Sequence, residues 1–499
     1  MATRAEPGDL GPGRRELGLE RRAVGLWTAI GTTFGLIVAS TVLASVTAGF
    51  FASYVFLAAL AIGFFAMYLQ SFSFSELATM IPRAGSMNEY VRAGLGPFFA
   101  TLTVLVGYIA VQLFPTTAEA YTPSAIIKGF LWTGGPSTTV WVIVFVLFVA
   151  LVNVAGIRPY GAVEVFLTFA VASSLLVFGL IGLLGQGSND PIGSAFPHID
   201  FTWSLLSTLL GTAIFTFVGM EYTCPLAEEM ENPGRNIPLG IFLGLTLVAA
   251  PVVVFGLAAA RYVPSEDLSH FSPVAHMDAA TAILGDAGKW WMAFISIAAT
   301  LSTLNALLAG IPRILYGMGL TRQLPSVFSY LLPATRAPVV GIATVALLPI
   351  LMNVVVDLGK SQNFIKLILA GVLGWATAYL LIHLTVIVLR RLEPNARRPF
   401  RSPFVPIPQL LGAGLLALAA FKIFPDPEIR EDIYTYYGIF LGVSVALSFL
   451  YNAFAYRSAT AQFRRVPLEE VYRETRVIDD ELGPPVEPGA PHVRHHTDD

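Results

Sequence analysis

Two carboxylates stand inside apolar stretches of this sequence, where a charge is costly enough that it is usually functional. The first, Glu119, lies between Pro115 and Pro123 in VQLFPTTAEAYTPSAII. It could serve as the counter-ion of a bound amine, which would favour cationic amines, amino alcohols or polyamines over zwitterions, or it could carry a proton. The structural alternative puts Glu119 in the outer third of a long helix, at the membrane interface or paired with a nearby hydroxyl group.

The second carboxylate, Glu221, follows a break in an apolar helical pattern that begins at Leu209. Gly219 has no Cβ and a low helix propensity, so the chain can unwind at residues 217–221 with little loss of free energy. An unwound helix within a bilayer is tolerated only where it is buried in protein or lines a cavity. Secondary transporters build binding sites from such helices. A Gly-kinked packing helix is the alternative interpretation.

Aromatic and charged side chains flank this break. Phe215 and Phe217 could close over a bound molecule as an aromatic gate, or they could belong to the core. Glu221 is expected at the start of the following half-helix, where the helix dipole favours a negative charge. We assign it to gating, with a proton-carrying role as the alternative. The charged residues of the next loop are expected to form a solvated, capped turn: Glu228, Glu229, Glu231 and Arg235.

Oxygen-bearing residues form a third pattern, in the stretch ATLST at 299–303. The carbonyl of Ala299 and the hydroxyl groups of Ser302 and Thr303 are spaced i, i+3 and i+4, which puts them on one face of a helix. Hard oxygen ligands of this kind suit a hard cation such as sodium. The alternative is that the hydroxyl groups only pack, or bond back to their own helix.

A further break is predicted in the first apolar run, at Gly31-Thr32-Thr33-Phe34-Gly35. Two glycines and two threonines could free backbone groups whose hydrogen bonds the hydroxyl groups partly replace. A small-residue packing face is the alternative. Two breaks that lie five segments apart are the pattern expected of two inverted five-helix repeats.

The elements that position these groups are apolar helices. The chain is 55% hydrophobic and only 13% charged, against roughly 25% charged residues in a soluble domain. Runs of about 20 apolar residues, long enough to span a bilayer, recur along the sequence and must be helical in lipid. We predict twelve: 23–46, 49–76, 98–128, 138–155, 161–186, 203–225, 238–260, 289–318, 338–356, 364–390, 406–424 and 434–456. The class is therefore an all-α polytopic membrane protein, and its single cysteine, Cys224, excludes an intramolecular disulfide.

The distribution of charge predicts the orientation. Most Lys and Arg residues fall in segments on the same side as the two chain ends, which places both termini in the cytoplasm by the positive-inside rule. We expect a protein of the plasma (inner) membrane with a cytoplasmic tail (1–22), a helical domain (23–456) and a disordered cytoplasmic tail (457–499). The helical domain divides into a first repeat, a second repeat and two peripheral helices: 23–186, 203–390 and 406–456.

Four passages of the sequence resemble a known family. They are GTTFG at 31–35, ELATMIPRAGSMNEYVRAGLGPF at 76–98, FTFVGMEYTCPLAEEMENPGRNIP at 215–238 and LSTLNALLAGIPRILYGMGLTRQLP at 301–325. On these motifs the chain resembles permeases of the amino acid–polyamine–organocation (APC) superfamily over roughly residues 20–455. The resemblance implies a LeuT-like fold, with ten core helices in two inverted repeats, breaks in the first and sixth helices, and two peripheral helices.

The resemblance also implies a substrate site at the two breaks. Half-helix N-termini carry partial positive charge and C-termini partial negative charge, so a zwitterion can be held without charged side chains. The implied substrate-binding residues are Gly31, Thr32, Thr33, Phe34, Gly35, Phe215, Phe217, Val218 and Gly219, with Glu119 as the candidate counter-ion.

Coupling to an ion is the next expectation. Proton-coupled relatives resemble one another in having a lysine in the fifth helix, whereas FLTFAVASSLLVFGLIGL at 166–183 has none. We therefore favour sodium, bound at Ala299, Ser302 and Thr303, over a proton as the coupling ion. No other cofactor is expected.

These patterns indicate a secondary active transporter that takes up an amino acid or related organic amine by alternating access. An amine, amino-alcohol or polyamine permease for an ethanolamine-like or putrescine-like substrate is one alternative. A nutrient sensor that does not transport is another. The sequence has no HExxH motif, paired intramembrane Asp or nucleotide-binding loop for an enzyme, and no charge rings or repeated filter for a channel. No nucleic-acid partner is expected.

Overall fold

The computed structural model describes residues 18–194, 199–269, 272–356, 358, 361–424 and 426–474. Of the two predicted tails, residues 1–17 and 475–499 lie outside this described part. The described residues form helices and no strand, apart from a single bridge between Val24 and Met230.

Within these described residues, eighteen α-helices follow one another. They are α1 (Leu26–Ile37), α2 (Ser40–Gly49), α3 (Ser53–Met80), α4 (Met87–Leu95), α5 (Pro97–Val104), α6 (Ala110–Leu113), α7 (Pro115–Ile126), α8 (Thr138–Val154), α9 (Ile157–Leu183), α10 (Trp203–Phe215), α11 (Pro233–Tyr262), α12 (Ser265–Ser269), α13 (Ala275–Leu320), α14 (Val339–Val355), α15 (Ser361–Leu392), α16 (Ile407–Phe421), α17 (Pro427–Ala455) and α18 (Leu468–Glu474). Short 3₁₀ or π segments continue several of them, including the π-helix Leu105–Ile109 and the 3₁₀-helix Met220–Leu226.

Eight helical stretches of the described chain are long and apolar enough to cross a membrane. They are Ser40–Met80, Pro97–Leu131, Ile157–Leu183, Trp203–Leu226, Pro233–Tyr262, Ala275–Leu320, Asn363–Leu392 and Pro427–Ala455. Four apolar helices are shorter: Leu26–Ile37, Thr138–Val154, Val339–Val355 and Ile407–Phe421. Each of the segments predicted to be helical overlaps one or more α-helices of the described chain, and several of these helices extend beyond the predicted bounds.

The first membrane segment is split into α1 and α2, which meet at Val38 and Ala39. Both residues leave the helical region, Val38 at φ −85° and ψ 67° and Ala39 at φ −82° and ψ 154°. The break predicted at residues 31–35 is therefore wrong in position, because all five residues are helical within α1. The glycines there serve close packing, since a Cβ at Gly35 would overlap the side chains of Glu164 and Ser302.

The second break follows α10 and lies where the sequence predicts it. α10 ends at Phe215, and the chain resumes as a 3₁₀-helix at Met220. Between them Gly219 has a φ of 114°, in the left-handed region that glycine adopts readily. A Cβ at Gly219 would also overlap Leu36 near the end of α1. The two broken helices therefore touch at their breaks.

Glycines also let α11 lie directly against α1. A Cβ at Gly240 would come within 2.9 Å of the carbonyl carbon of Ala29, and one at Gly244 within 2.6 Å of the Cβ of Thr33. Real side chains do not adopt such distances, so α1 and α11 approach each other backbone to backbone. Small residues four positions apart are a common way to join helices in membranes.

The predicted disordered tail is folded as far as it is described. The backbone N–H of Val466 donates to the carbonyl of Arg92 at 3.1 Å, and the hydroxyl of Tyr472 donates to the carbonyl of Met80 at 2.5 Å. Val471 is fully buried. Apolar side chains spaced along α18 therefore dock residues 461–474 on the bundle, although the segment is rich in charge.

Candidate functional site

A small cavity of about 30 Å³, room for about two water molecules, lies between the two broken helices. Four of the residues predicted to form the substrate or ion site line it: Glu119, Phe215, Val218 and Thr303. The rest of the wall is mostly apolar and includes Trp375 of α15. A small, mostly apolar space thus lies at the breaks, beside a carboxylate.

The residues predicted at the first break lie outside this cavity, because α1 continues through them. Thr32 donates to the carbonyl of Thr28 at 2.8 Å and lies 2.6 Å from the hydroxyl of Tyr160 on α9. Thr33 lies 3.0 Å from the hydroxyl of Thr223. Gly31 and Phe34 are buried against the neighbouring helices. In this conformation these side chains join α1 to the bundle.

The two phenylalanines beside the second break differ in their surroundings. Phe215 lines the cavity. Phe217 is buried and makes an edge-to-face contact with Phe64 of α3, with ring centroids 5.4 Å apart. Phe215 is therefore placed to close over a bound molecule, whereas Phe217 packs in the core.

Glu119 is 2% exposed and caps the start of α2. One carboxylate oxygen accepts a hydrogen bond from the backbone N–H of Ser40, and the other accepts one from that of Thr41, both at 2.9 Å. The hydroxyl of Thr300 on α13 donates to the same carboxylate. Helix starts favour negative charge, so Glu119 stabilises the break at Val38 and Ala39 from a helix distant in sequence.

Glu221 is fully buried in the first turn of the 3₁₀-helix after Gly219. Its Oε2 accepts a 2.6 Å hydrogen bond from the hydroxyl of Tyr379 on α15. Its Oε1 faces Tyr108 and Trp375 without a well-formed hydrogen bond in the described structure. A carboxylate at the break that has one oxygen without a well-formed hydrogen bond is suited to a segment that exchanges hydrogen-bond partners when the helices move.

Glu164 on α9 is a further buried carboxylate, which is not among the site residues predicted from the sequence. Its Oε1 accepts a 2.5 Å hydrogen bond from Ser302, and its Oε2 accepts one of 2.7 Å from the side chain of Asn305. No basic side chain of the described chain forms an ion pair with it. The signal was present in the sequence, because Glu164 falls inside the predicted span 161–186, on the same face as Tyr160 and Thr168.

The hydroxyl groups predicted to bind sodium are engaged with other helices. Ser302 donates to Glu164, and Thr303 donates to the carbonyl of Gly35 at 2.8 Å. Ala299 is buried on the same face of α13. Together these contacts join α13 to both α1 and α9, on the side of the cavity away from α15.

Polar contacts close the end of the bundle that carries residues 18–25 and 457–474, here called the tail end. Arg313 on α13 forms a buried, two-pronged ion pair with Glu229. Burial raises the pKa of Glu229, and the guanidinium of Arg313 opposes that shift. The expected solvated turn is therefore wrong for Glu229, which is 1% exposed. At the same end of the bundle, the backbone N–H of Ala84 donates a 3.0 Å hydrogen bond to the carboxylate of Glu228.

The N-terminal segment is part of this closure. The carbonyl of Glu229 accepts hydrogen bonds from the N–H groups of Ala23 at 2.8 Å and Val24 at 3.2 Å. In return, the N–H of Glu231 donates to the carbonyl of Val24 at 2.8 Å. The chain just before α1 is thus tied to the loop after the second break.

Comparisons with known proteins agree with this architecture. A methylthioribose transporter of Bacillus subtilis is 23% identical over 77% of this chain and 83% of its own length. A vacuolar cationic amino acid transporter of Arabidopsis thaliana is 24% identical over 66% of this chain, a match that spans 56% of that protein. Among solved structures, a Na⁺-coupled sialic acid symporter superposes with a TM-score of 0.54 at 12% identity, over 79% of this chain and 89% of its own.

The fold is that of a LeuT-like membrane protein with two broken helices, and the family model that matches it is one of permeases, not of enzymes. The family model for amino acid permeases matches residues 24–445, and the chain belongs to that family. The resemblance to APC permeases noted from the sequence motifs is thereby confirmed.

Proposed function

We propose that the protein carries an amino acid or related organic amine across the plasma membrane by alternating access, with both termini in the cytoplasm. Substrate binds in the cavity between the two breaks and is released when the tail-end closure opens. The observation that carries this proposal is the meeting of two broken helices around a cavity with a buried carboxylate, Glu119. Such breaks expose helix ends toward a bound molecule at membrane depth.

The described conformation corresponds to a closed step of this cycle. The cavity holds little more than two water molecules. The ion pair of Arg313 with Glu229 and the pairing of Val24 with the loop after the second break seal the tail end. Opening toward the cytoplasm requires these contacts to separate, so they act as the inner gate. Phe215 and Glu221 line the opposite side of the break and rearrange with it.

The coupling ion of this proposal is a proton carried by Glu164. A buried carboxylate that has neither a cationic partner nor the backbone N–H donors of a helix start is costly unless it is protonated or binds a cation. Its Oε1 lies only 2.5 Å from the hydroxyl of Ser302, and a cation bound between them would have to push these oxygens apart. Gly35 packs closely against both groups. These contacts lead us to favour a proton on Glu164 over sodium at Ala299, Ser302 and Thr303 as the coupling ion.

The test is uptake into proteoliposomes that contain the purified full-length protein. A labelled panel of neutral and cationic amino acids, ethanolamine and putrescine is offered under separate sodium and proton gradients at a fixed membrane potential. Accumulation driven by the proton gradient supports the proposal. Accumulation driven only by sodium contradicts the role of Glu164 and returns the coupling site to Ser302 and Thr303. Binding without accumulation under any gradient would overturn the transport function.

A further inference from the structure

We propose that Glu119 fills, with the protein's own carboxylate, the anion site at the start of α2, so that the substrate is a small organic amine without a carboxylate. The inference rests on the proposed transport function and specifies its substrate class.

The start of α2 is built to bind an anion. α2 has ten residues and begins at Ser40, directly after the break. The first N–H groups of a helix lack partners within the helix and carry partial positive charge, which attracts carboxylates and phosphates. Because this helix starts at the cavity, its N–H groups are where the carboxylate of an amino acid would be expected to bind.

In this chain the position is already taken. The N–H groups of Ser40 and Thr41 each donate to a different oxygen of Glu119, both at 2.9 Å. Thr300 adds a hydroxyl donor from α13. The carboxylate is 2% exposed and held by three donors, so it belongs to the folded structure of the break. The anion at the start of α2 is therefore the side chain of Glu119, which belongs to α7.

A second carboxylate has no place beside it. No basic side chain is among the described residues that line the cavity. A substrate carboxylate would lie near the like charge of Glu119, and two unit charges about 4 Å apart repel strongly in an interior of low dielectric. Away from Glu119 it would face the apolar side chains of Val42, Val111 and Leu307, where an unpaired charge is costly.

The same wall suits an ammonium group. Glu119 supplies a negative charge, and α10 ends at the cavity with Phe215, where the helix end carries partial negative charge. The aromatic rings of Phe215 and Trp375 line the cavity and can interact with a cation. Thr116 also lines it, and its buried hydroxyl has no hydrogen-bond partner in the described structure. That hydroxyl can bind the amine or a substrate hydroxyl group.

The size of the cavity narrows the class of substrate further. A volume of about 30 Å³ suits a compact molecule better than a long chain. A short primary amine or amino alcohol, with its ammonium group beside Glu119 and its other end beside Thr116, requires the least widening of this space. A polyamine would need a much longer cavity.

The test uses pairs of compounds that differ only by a carboxylate: ethanolamine against serine, and putrescine against ornithine. Binding to the detergent-purified full-length protein is measured by calorimetry or thermal shift, and uptake is measured separately in proteoliposomes. We expect the wild-type protein to bind ethanolamine at least tenfold more tightly than serine. Equal or tighter binding of serine would overturn the inference, and transport of serine would then still support the proposed function.

Binding measurements on variants of Glu119 are the second test of the inference. Glu119→Gln keeps the shape and removes the charge, so ethanolamine binding should weaken about tenfold or more, as loss of a charged hydrogen bond predicts. Glu119→Ala vacates the start of α2, and we expect it to bind serine better than ethanolamine, or to regain ethanolamine binding when acetate is added. Thr117→Val is the matched control, because Thr117 donates to the carbonyl of Leu113 at the end of α6 and does not line the cavity.

Outcomes of the two assays separate the proposals. Unchanged ethanolamine binding in both Glu119 variants contradicts the inference. Intact and selective ethanolamine binding without accumulation contradicts the transport function and leaves the inference supported. If Glu119→Ala unfolds, shown by a lost thermal transition, the Gln variant alone decides, since it retains the volume of the native side chain.

Discussion

The hydroxyl of Thr303 on α13 donates a 2.8 Å hydrogen bond to the carbonyl of Gly35 on α1. One residue away, Ser302 donates to Glu164 of α9, so two consecutive residues of α13 hold two different helices. Gly35 makes this possible, because it brings the α1 backbone against both oxygens. This contact links the broken helix α1 to α9 and α13.

Gly35→Ala should disrupt this junction. The new Cβ would overlap Glu164 Oε1 and Ser302 Oγ, and overpacking of this kind costs about 1–3 kcal/mol. We expect a lower thermal unfolding temperature and slower uptake, measured on purified protein and in proteoliposomes. Gly414→Ala is the control, since a Cβ at that position meets nothing within 4 Å. Wild-type uptake and stability in the Gly35 variant would show that the junction can widen freely.

Gly219→Ala should impair the second break. Its φ of 114° is unfavourable for an L-residue by about 1–2 kcal/mol, and the Cβ would also overlap Leu36. We expect reduced substrate binding with the protein still inserted and expressed. Gly438→Ala, where the new Cβ meets nothing within 4 Å, should behave as wild type. Normal binding by the Gly219 variant would remove this break from the substrate site.

Glu164→Gln should uncouple transport from the proton gradient. The amide keeps hydrogen bonds to Ser302 and Asn305 but cannot exchange a proton. We therefore expect exchange of labelled for unlabelled substrate to continue while accumulation against a gradient is lost. Ser173→Ala on the same helix is the control, because Ser173 bonds only to the carbonyl of Phe169 in its own helix. Accumulation that still follows the proton gradient in the Gln variant would exclude Glu164 as the carrier.

Arg313→Met should destabilise the tail-end closure. It leaves the buried carboxylate of Glu229 without its partner, which typically costs about 3–5 kcal/mol. Adding Glu229→Leu should restore much of the lost stability, because no buried charge then remains unpaired. The measurement is the unfolding free energy of the purified protein.

The exposed pair of Arg158 with Glu20 provides the comparison for that experiment. The Arg158 side chain is 68% exposed, and such pairs contribute about 0–1 kcal/mol. Arg158→Ala should therefore change stability little. Equal effects of the Arg158 and Arg313 substitutions would show that the closure is solvated rather than buried.

The sequence predicts the second break and not the first, for a physical reason. Gly219 has a positive φ, which glycine adopts more readily than other residues. It also lies inside a stretch of clearly periodic apolar residues. The first break falls at Val38 and Ala39, which are ordinary residues in a helix, and it is stabilised by Glu119 from α7. Glu119 lies 79 positions from Ser40, so the sequence around the break shows no local pattern that would reveal this hydrogen bond. The nearby glycines attracted the prediction because small residues mark tight helix packing as well as breaks.

The buried polar network shows the same division. The spacing of Ala299, Ser302 and Thr303 correctly predicts hydroxyl groups on one inward face of α13. It does not identify their partners, because these come from α1 and α9. Glu164 was visible as an acidic residue inside a predicted span, yet only the fold shows that it meets Ser302. Residue types thus indicated which polar side chains face inward, and long-range packing determines which partners they meet.

The cap on α2 also means that the two halves of one membrane segment are held by different neighbours at their junction. α1 packs closely on α11 at Gly240 and Gly244, whereas the start of α2 is hydrogen-bonded to α7 through Glu119. α13 bonds to both sides, to Glu119 through Thr300 and to Gly35 through Thr303. The angle between α1 and α2 is therefore set by a side chain from α7 as well as by the backbone torsions of Val38 and Ala39.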